Sequence, residues 1–223
     1  SLGSVDELDL KFLHELKWFA NHFNVAWISD HLSFSSVDGQ YTYDLFPMPF
    51  SLKSARYVAD RILRAQEIVG RPLIIENIPY YIDSPPGDIT ESQFITAVAE
   101  FADCGLLLDL NNHVVNSINH NFDAAERLEQ LPLERVVQIH MAGHSRYDRR
   151  AIDTHGAAIG DESFDLLKLV CERTAVNAVM VERDQNFPPF ESWMSELAHI
   201  GEVQGNTQSS QASEEKQGAP ASV

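Results

Sequence analysis

Five short apolar runs in this 223-residue chain each stop on residues that can ligate a cation or move a proton. Val25-Ala26-Trp27-Ile28 runs into Ser29-Asp30-His31, and Leu73-Ile74-Ile75 into Glu76-Asn77. Gly105-Leu106-Leu107-Leu108 runs into Asp109-Leu110-Asn111-Asn112, and Val136-Val137-Gln138-Ile139 into His140-Met141-Ala142-Gly143-His144. Ala178-Val179-Met180-Val181 runs into Glu182-Arg183-Asp184. A single acid after a strand is ordinarily a helix cap or a solvated loop residue, and a single His a satisfied one. Five runs of five ending this way call for another reason. If the runs are parallel strands, their C-terminal ends converge on the face where active sites of α/β proteins sit. That face collects His31, Glu76, Asp109, His140 and Glu182. Carboxylates desolvated together raise one another's pKa, a penalty that bound cations remove. Imidazole and carboxylate without thiolate suit iron, manganese or zinc. Between the fourth and fifth runs, Asp153 and His155 stand two apart and point the same way if the backbone is extended, as ligands of one metal would. An Asx-type turn ending at Gly156 is the purely local alternative. His140 and His144 nearby favour the ligand reading.

The segments between these runs read as helices. Ser4 with Glu7 makes a capping-box pattern, and Phe12, Leu13, Leu16, Ala20 and Phe23 share one helical face after it. Ala55, Val58, Ile62, Ala65 and Val69 mark a second helix, closed by Gly70. Thr90 with Gln93 opens a third, carrying Phe94, Val98 and Phe101. Another helix is expected from Asp123 to Gln130, one capped by Asp161 with Phe164, Leu167, Leu169 and Val170, and a last one over Phe190 to Ile200. Wholly apolar strands between amphipathic helices belong to a parallel sheet covered by helices. Such a sheet is either open and doubly wound or part of an eight-stranded barrel. No glycine-rich phosphate loop follows any strand, which counts against the nucleotide-binding open sheets. The reading gives one α/β domain over residues 1–202. The stretch from Val203 to Val223 is poor in apolar residues and is expected to be a disordered tail.

The chain carries 33 acidic and 16 basic residues, a formal charge of −17. Such a surface repels phosphate backbones and anionic lipid, so nucleic acid and membranes are not expected partners. No apolar run reaches the roughly 18 residues of a membrane span, and the first residues lack a secretory signal pattern. Cys104 and Cys171 stand far apart. They make neither a disulfide framework nor a thiolate zinc site, and they fit a reducing cytoplasm as buried small hydrophobes.

Taken together, Ser-Asp-His-Leu (29–32), Glu76-Asn77, Leu-Leu-Leu-Asp-Leu-Asn-Asn (106–112), Ile-His-Met-Ala-Gly-His (139–144), Asp-Thr-His-Gly (153–156) and Glu-Arg-Asp (182–184) resemble the multinuclear non-haem iron-dependent oxidase family. The resemblance covers residues 1 to about 200, in order. It implies a TIM-like (β/α) barrel of the xylose-isomerase kind, with about five of its eight strands in this chain. It further implies two or three iron ions, dioxygen as co-substrate, and a ribosomally made precursor peptide modified at residues that are often cysteine. A small companion protein that recruits the peptide is the implied partner. Carried over by position, His31, Glu76, Asp109, His140 and Glu182 hold a core pair of metals, with Glu76, Asp109 and His140 as the catalytic set. Asn111, His144, Asp153 and His155 serve a further metal or its surroundings.

In the family, Ser-Leu-Gly-Ser, here residues 1–4, follows a strand bearing a ligand His, and two more strands precede that one. The chain is therefore expected to be N-terminally incomplete, and alone to associate and bind iron weakly. Rival readings are a zinc phosphoesterase or divalent-metal sugar isomerase on the same barrel, and a truncated barrel without catalysis. The acidic charge disfavours a DNA substrate, and the strand Lys that sugar isomerases tend to show is missing.

Overall fold

A computed structural model describes residues 1–217, with side-chain surroundings given through residue 207. Five strands form one parallel sheet: β1 (Ile28–His31), β4 (Leu73–Glu76), β5 (Gly105–Asp109), β6 (Val136–Met141) and β9 (Ala178–Val181). Their spatial order, β1-β4-β5-β6-β9, is their chain order. A doubly wound sheet reverses direction once at a switch point, whereas a barrel adds each strand beside the last. This sheet never reverses. It is an arc of a (β/α) barrel. Two hairpins, β2 (Phe34–Val37) with β3 (Gln40–Phe46) and β7 (Ser145–Tyr147) with β8 (Arg150–Ile152), rise from the loops at the strand ends.

Helices α1 (Leu10–His22), α2 (Leu52–Val69), α3 (Glu91–Ala102), α4 (Leu110–His120), α5 (Ala124–Leu128), α6 (Asp161–Arg173) and α7 (Phe190–Gln217) supply the cover. Ser51 caps α2 by accepting from the Ser54 N–H, and Gly70 ends it at φ 73°, a left-handed backbone that glycine adopts without penalty. The stripe Ala55, Val58, Ala59, Ile62, Ala65, Val69 is buried between those ends. Thr90 and Gln93 complete the expected capping box on α3. Ile74, Ile75, Leu106, Leu107, Leu108 and Ile139 on the central strands are almost wholly buried, as strands covered on both faces must be.

Several expectations shift. Ser4 is not the α1 cap: Asp9 accepts from the Phe12 N–H, while the Ser4 hydroxyl is buried against Ser36. The first strand begins at Ile28, because Val25 still bonds back to Ala20 to close the helix. Asp161 is the first residue of α6 rather than its cap, a place held by Gly160. Helix α4 lies where no helix is expected, since Asn111, Asn112, His113 and Asn116 interrupt its apolar stripe. Helix α7 runs on to Gln217, through the stretch expected to be a tail. Glu196, Ile200, Val203 and Thr207 fall on one face at helical spacing, and Ile200 and Thr207 are buried. That stripe is too sparse to stand out in a polar stretch. Residues 218–223 of the expected tail lie outside the described residues. Among those described, no helix is long and apolar enough to cross a membrane.

Candidate metal centre

The barrel arc brings the strand ends into register. His31 pairs with Glu76 across β1 and β4, and Asp109 with His140 across β5 and β6. Glu182 follows β9 and extends its ladder, its N–H bonded to the Met141 carbonyl at 2.9 Å. One ligand-type atom from each of Glu76, Asp109, His140 and Glu182 lies within 4.8 Å of the other three. The His140 Nδ1 is 3.2 Å from carboxylate oxygens of both Glu76 and Glu182. The other Glu76 oxygen is 3.5 Å from His31 Nε2, and His31 leaves much of its ring open to solvent.

A second group adjoins the first through Glu182, whose other oxygen lies 3.6 Å from His155 Nε2. His155 also meets Asp153 at 2.9 Å and Asp184 at 3.0 Å. Asn111 donates to Asp153 at 2.6 Å and contacts His144 Nδ1 at 2.9 Å. All nine residues singled out in the sequence therefore stand in one connected cluster. The local reason differs from the one expected for Asp153 and His155. His155 sits at φ 46°, so a left-handed turn, not an extended segment, folds its ring back toward Asp153. The Asp184 N–H bonding the His155 carbonyl holds that turn, at a cost of about 1 kcal/mol for a non-glycine residue.

The carboxylates and imidazoles of the cluster shift one another's proton affinity. Burial, with Asp153 and Glu76 adding to it, drives the Asp109 carboxyl well above the usual carboxylate range, although Asn112 donates to it. Burial disfavours the His140 imidazolium, but Glu182 and Glu76 outweigh it and push its pKa up to about 10. The Asp153 carboxylate, 2.9 Å from Nε2 of His155, favours the imidazolium and lifts its pKa to about 9 against desolvation. Asp109 Oδ2, His140 Nδ1 and His155 Nε2 are buried without an aligned hydrogen-bond partner. The carboxylates near Nδ1 thus attract it by charge rather than along its N–H direction. Buried polar atoms left this way cost about 1–3 kcal/mol each. Atoms of mixed N and O type, turned toward one point, fit a divalent metal of the iron, manganese or zinc kind.

Other residues hold this arrangement and were not singled out. Asn77 accepts from the Asp109 N–H at 2.8 Å and donates to its carbonyl at 2.9 Å, locking the end of β5 to β4. Arg183, almost fully buried, makes two bonds of 3.1 and 3.0 Å to Glu196 on α7 and so fixes the turn after Glu182. Gln138 bridges Trp27 and His140. A period-2 reading of β6 places Gln138 on the His140 face, and that signal was available in the sequence. Gly143 is needed for closeness: a Cβ there would stand 2.2 Å from the Ala157 carbonyl oxygen.

Known proteins resemble the chain in sequence and in fold. UPF0276 proteins of Nitrosospira multiformis and Acinetobacter baylyi are each 41% identical to the chain, over 92% and 90% of it and 72% and 69% of their own lengths. One from Shewanella amazonensis is 42% identical, over 92% of this chain and 73% of its own. Two solved structures share the xylose-isomerase-like barrel. A crystal structure of IolI protein with a bound zinc atom matches at TM-score 0.52 and 14% identity, over 93% of this chain and 72% of that one. L-ribulose 3-epimerase matches at TM-score 0.51 and 11% identity, over all of this chain and 77% of that one. At such identities these two report on fold alone. The profile of the RiPP precursor modification enzymes MbnB/TglH/ChrH matches residues 1–205, and the chain belongs to that family.

Proposed function

We propose that this chain carries the metal centre of an oxidase that modifies a ribosomally made precursor peptide, with cysteine as the residue attacked. The observation that carries the reading is the convergence of Glu76, Asp109, His140 and Glu182 within 4.8 Å. Membership of a family of peptide-modifying enzymes supplies the substrate class. Glu76, Asp109, His140 and Glu182 would hold one iron ion, with His31 beside Glu76. Asp153 and His155, supported by Asn111 and His144, are the residues for another, giving two or three in all. Iron held there supplies redox chemistry, with dioxygen as the oxidant that takes up the electrons the peptide loses.

The protein's own groups prepare the site. Asn77 and Arg183 fix the backbone of the strand ends, so that the carboxylates keep their places with or without a counter-charge. Glu76 sits centrally, one oxygen toward His31 and the other toward His140, which suits a carboxylate shared between two ions. The open side of His31 gives a peptide a way in, and a small companion protein would bring it there.

The test is to load the protein with ferrous iron without air, count the iron by mass spectrometry, and add precursor peptide, companion protein and dioxygen. Retained iron and a mass change on the peptide's cysteine are the expected results. Zinc retained in place of iron, or a peptide of unchanged mass, would sink the reading.

A further inference from the structure

Hairpin β7–β8 is rooted in the candidate centre at both ends. Its first strand directly follows His144, and its second runs straight into Asp153. Side-chain bonds hold its base. Asn119 on α4 accepts from the Ala151 N–H and donates to the Ala151 carbonyl, both at 2.9 Å. The Ser145 and Thr154 hydroxyls stand 3.0 Å apart. Arg146 meets Glu162 at 2.9 Å and His144 at 3.3 Å. The tip is different. Arg149 and Arg150 are exposed, and among the described residues no hydrogen bond or ion pair engages either side chain, not even with the neighbouring Asp148. Elsewhere Arg64, Arg135, Arg173 and Arg183 each meet a carboxylate. Two unpaired arginines are therefore unexpected in a chain with 33 acidic and 16 basic residues.

Tyr147 pairs with Arg150 and Ser145 with Ile152, so these four side chains share one face of the hairpin. Tyr147 is 59% exposed and Ile152 39%. The face thus offers apolar contact near its root and guanidinium groups at its end, and Tyr and Arg are the residues that anchor protein-binding surfaces. We propose that this hairpin binds acidic side chains of the peptide substrate, three or four residues from the one that reaches the centre. The inference rests on the peptide-modifying reading given above. Distance sets the spacing. Arg150 and Arg149 precede Asp153 by three and four residues, roughly 10–13 Å of strand, and an extended peptide covers that length in as many residues. Charge sets the partner. A long polyanion such as nucleic acid would run onto a surface of formal charge −17 and be repelled. One or two carboxylates respond mainly to charges within a Debye length, about 10 Å at 0.1 M salt. Guanidinium groups hold such carboxylates through paired N–H bonds.

The experiment measures fluorescence anisotropy of short fluorescein-labelled peptides titrated with the whole chain, without air and with a reductant. Each peptide has one Cys, with Glu, Gln or Lys at the third and fourth positions on either side of it. Wild type is expected to bind the Glu peptide about tenfold tighter than the Gln peptide, the size of two exposed ion pairs. The preference is expected to vanish in Arg149→Gln/Arg150→Gln and in high salt, and Arg149→Glu/Arg150→Glu to prefer the Lys peptide. Lys53→Gln/Arg64→Gln removes the same net charge from α2 and is expected to keep the preference for Glu. Equal affinity of wild type for the Glu and Gln peptides, or a preference that survives Arg149→Gln/Arg150→Gln, overturns the proposal. So does a preference lost equally in the α2 variant, or a short DNA duplex that outcompetes the Glu peptide. Mn2+ and Zn2+ uptake, followed in parallel, is expected to be the same in wild type and Arg149→Gln/Arg150→Gln. Wild type that takes up neither cation fails the metal-centre reading, while a Glu preference that depends on Arg149 and Arg150 would still uphold the hairpin.

Discussion

Asp109 is the residue where fold and chemistry pull hardest against each other. It is fully buried, caps α4 through one oxygen, and leaves the other without a partner. Asp109→Asn keeps the capping oxygen and replaces a carboxyl whose charge burial disfavours with a neutral amide. The metal-free variant is therefore expected to be more stable than wild type by about 1–3 kcal/mol in urea unfolding, while its cation content drops. Glu76→Gln is expected to lose metal with the helical circular dichroism signal intact, since the amide still fills the space between His31 and His140. Full metal content in either variant would remove it from the ligand set. Seven of the nine candidates could be picked out because each is a titratable or amide group just after an apolar run, and Asp153 and His155 by their spacing of two and the motif they share. Asn77 was quoted among the motifs yet given no role, since its task is to hold backbone, and backbone partners are invisible in a sequence. The left-handed turn at His155 was invisible for the same reason, because the contacts that hold it come from Asp184, far along the chain.

Among the elements, those resting on a dense apolar period were readable and those resting on polar contacts were not. Helix α2 has an unbroken stripe and a glycine stop, and its position matched. Helix α4 buries three Asn and one His on polar contacts: Asn111 donates to Asp153, Asn112 to the Asn77 carbonyl, Asn116 bonds Ile78 and Tyr80, and His113 meets the Ala124 carbonyl. Nothing in its composition distinguishes that from a loop. Helix α3 carries a testable oddity at its first residue. Glu91 faces a pocket lined by Phe50, Ile78, Phe94 and Ile95 and accepts from the Tyr80 hydroxyl at 3.1 Å. Burial pushes its pKa up to about 7, with the bond from Tyr80 and the charge of Arg127 acting against that rise. An acid whose folded pKa lies above its unfolded value, near 4.5, takes up a proton on folding. Stability therefore falls as pH rises from about 4.5 to 7, and the cost persists above that window. Glu91→Gln is expected to flatten this slope and to raise stability at pH 8 by on the order of 1–3 kcal/mol. Identical pH profiles of melting temperature for the two proteins would show that Glu91 is solvated after all. Helix α7 gives the element-scale test of packing. A chain ending at residue 202 loses Val203 and Thr207 from the buried face, and is expected to unfold about 1–2 kcal/mol more easily than the full chain.

At the scale of the whole molecule, the strand order and the charge meet at one place. The parallel arc sets the ends of β4, β5, β6 and β9 side by side, and each end contributes one member of the buried cluster. Three of those members are carboxylic acids, in a chain whose formal charge is already −17. Main-chain bonds join neighbouring strands, but only the side chains cross the arc. A cation held by Glu76, Asp109, His140 and Glu182 links four strands at once and removes the repulsion among them. Because the site exists only in the folded chain, saturation adds stability as RT ln(1 + [L]/Kd), about 2.7 kcal/mol at a hundredfold excess over Kd. The melting temperature is accordingly expected to climb with micromolar to millimolar Mn2+ or Zn2+ and to fall back on adding chelator. Two controls separate this from screening of the acidic surface, which any salt provides over a Debye length of about 10 Å at 0.1 M. Sodium chloride at matched ionic strength is expected to move the midpoint little, and Asp109→Asn to abolish the divalent response. An equal rise with sodium chloride would assign the stabilisation to the net charge of the surface, and the four strand ends would then be a cluster of acids without a metal to serve.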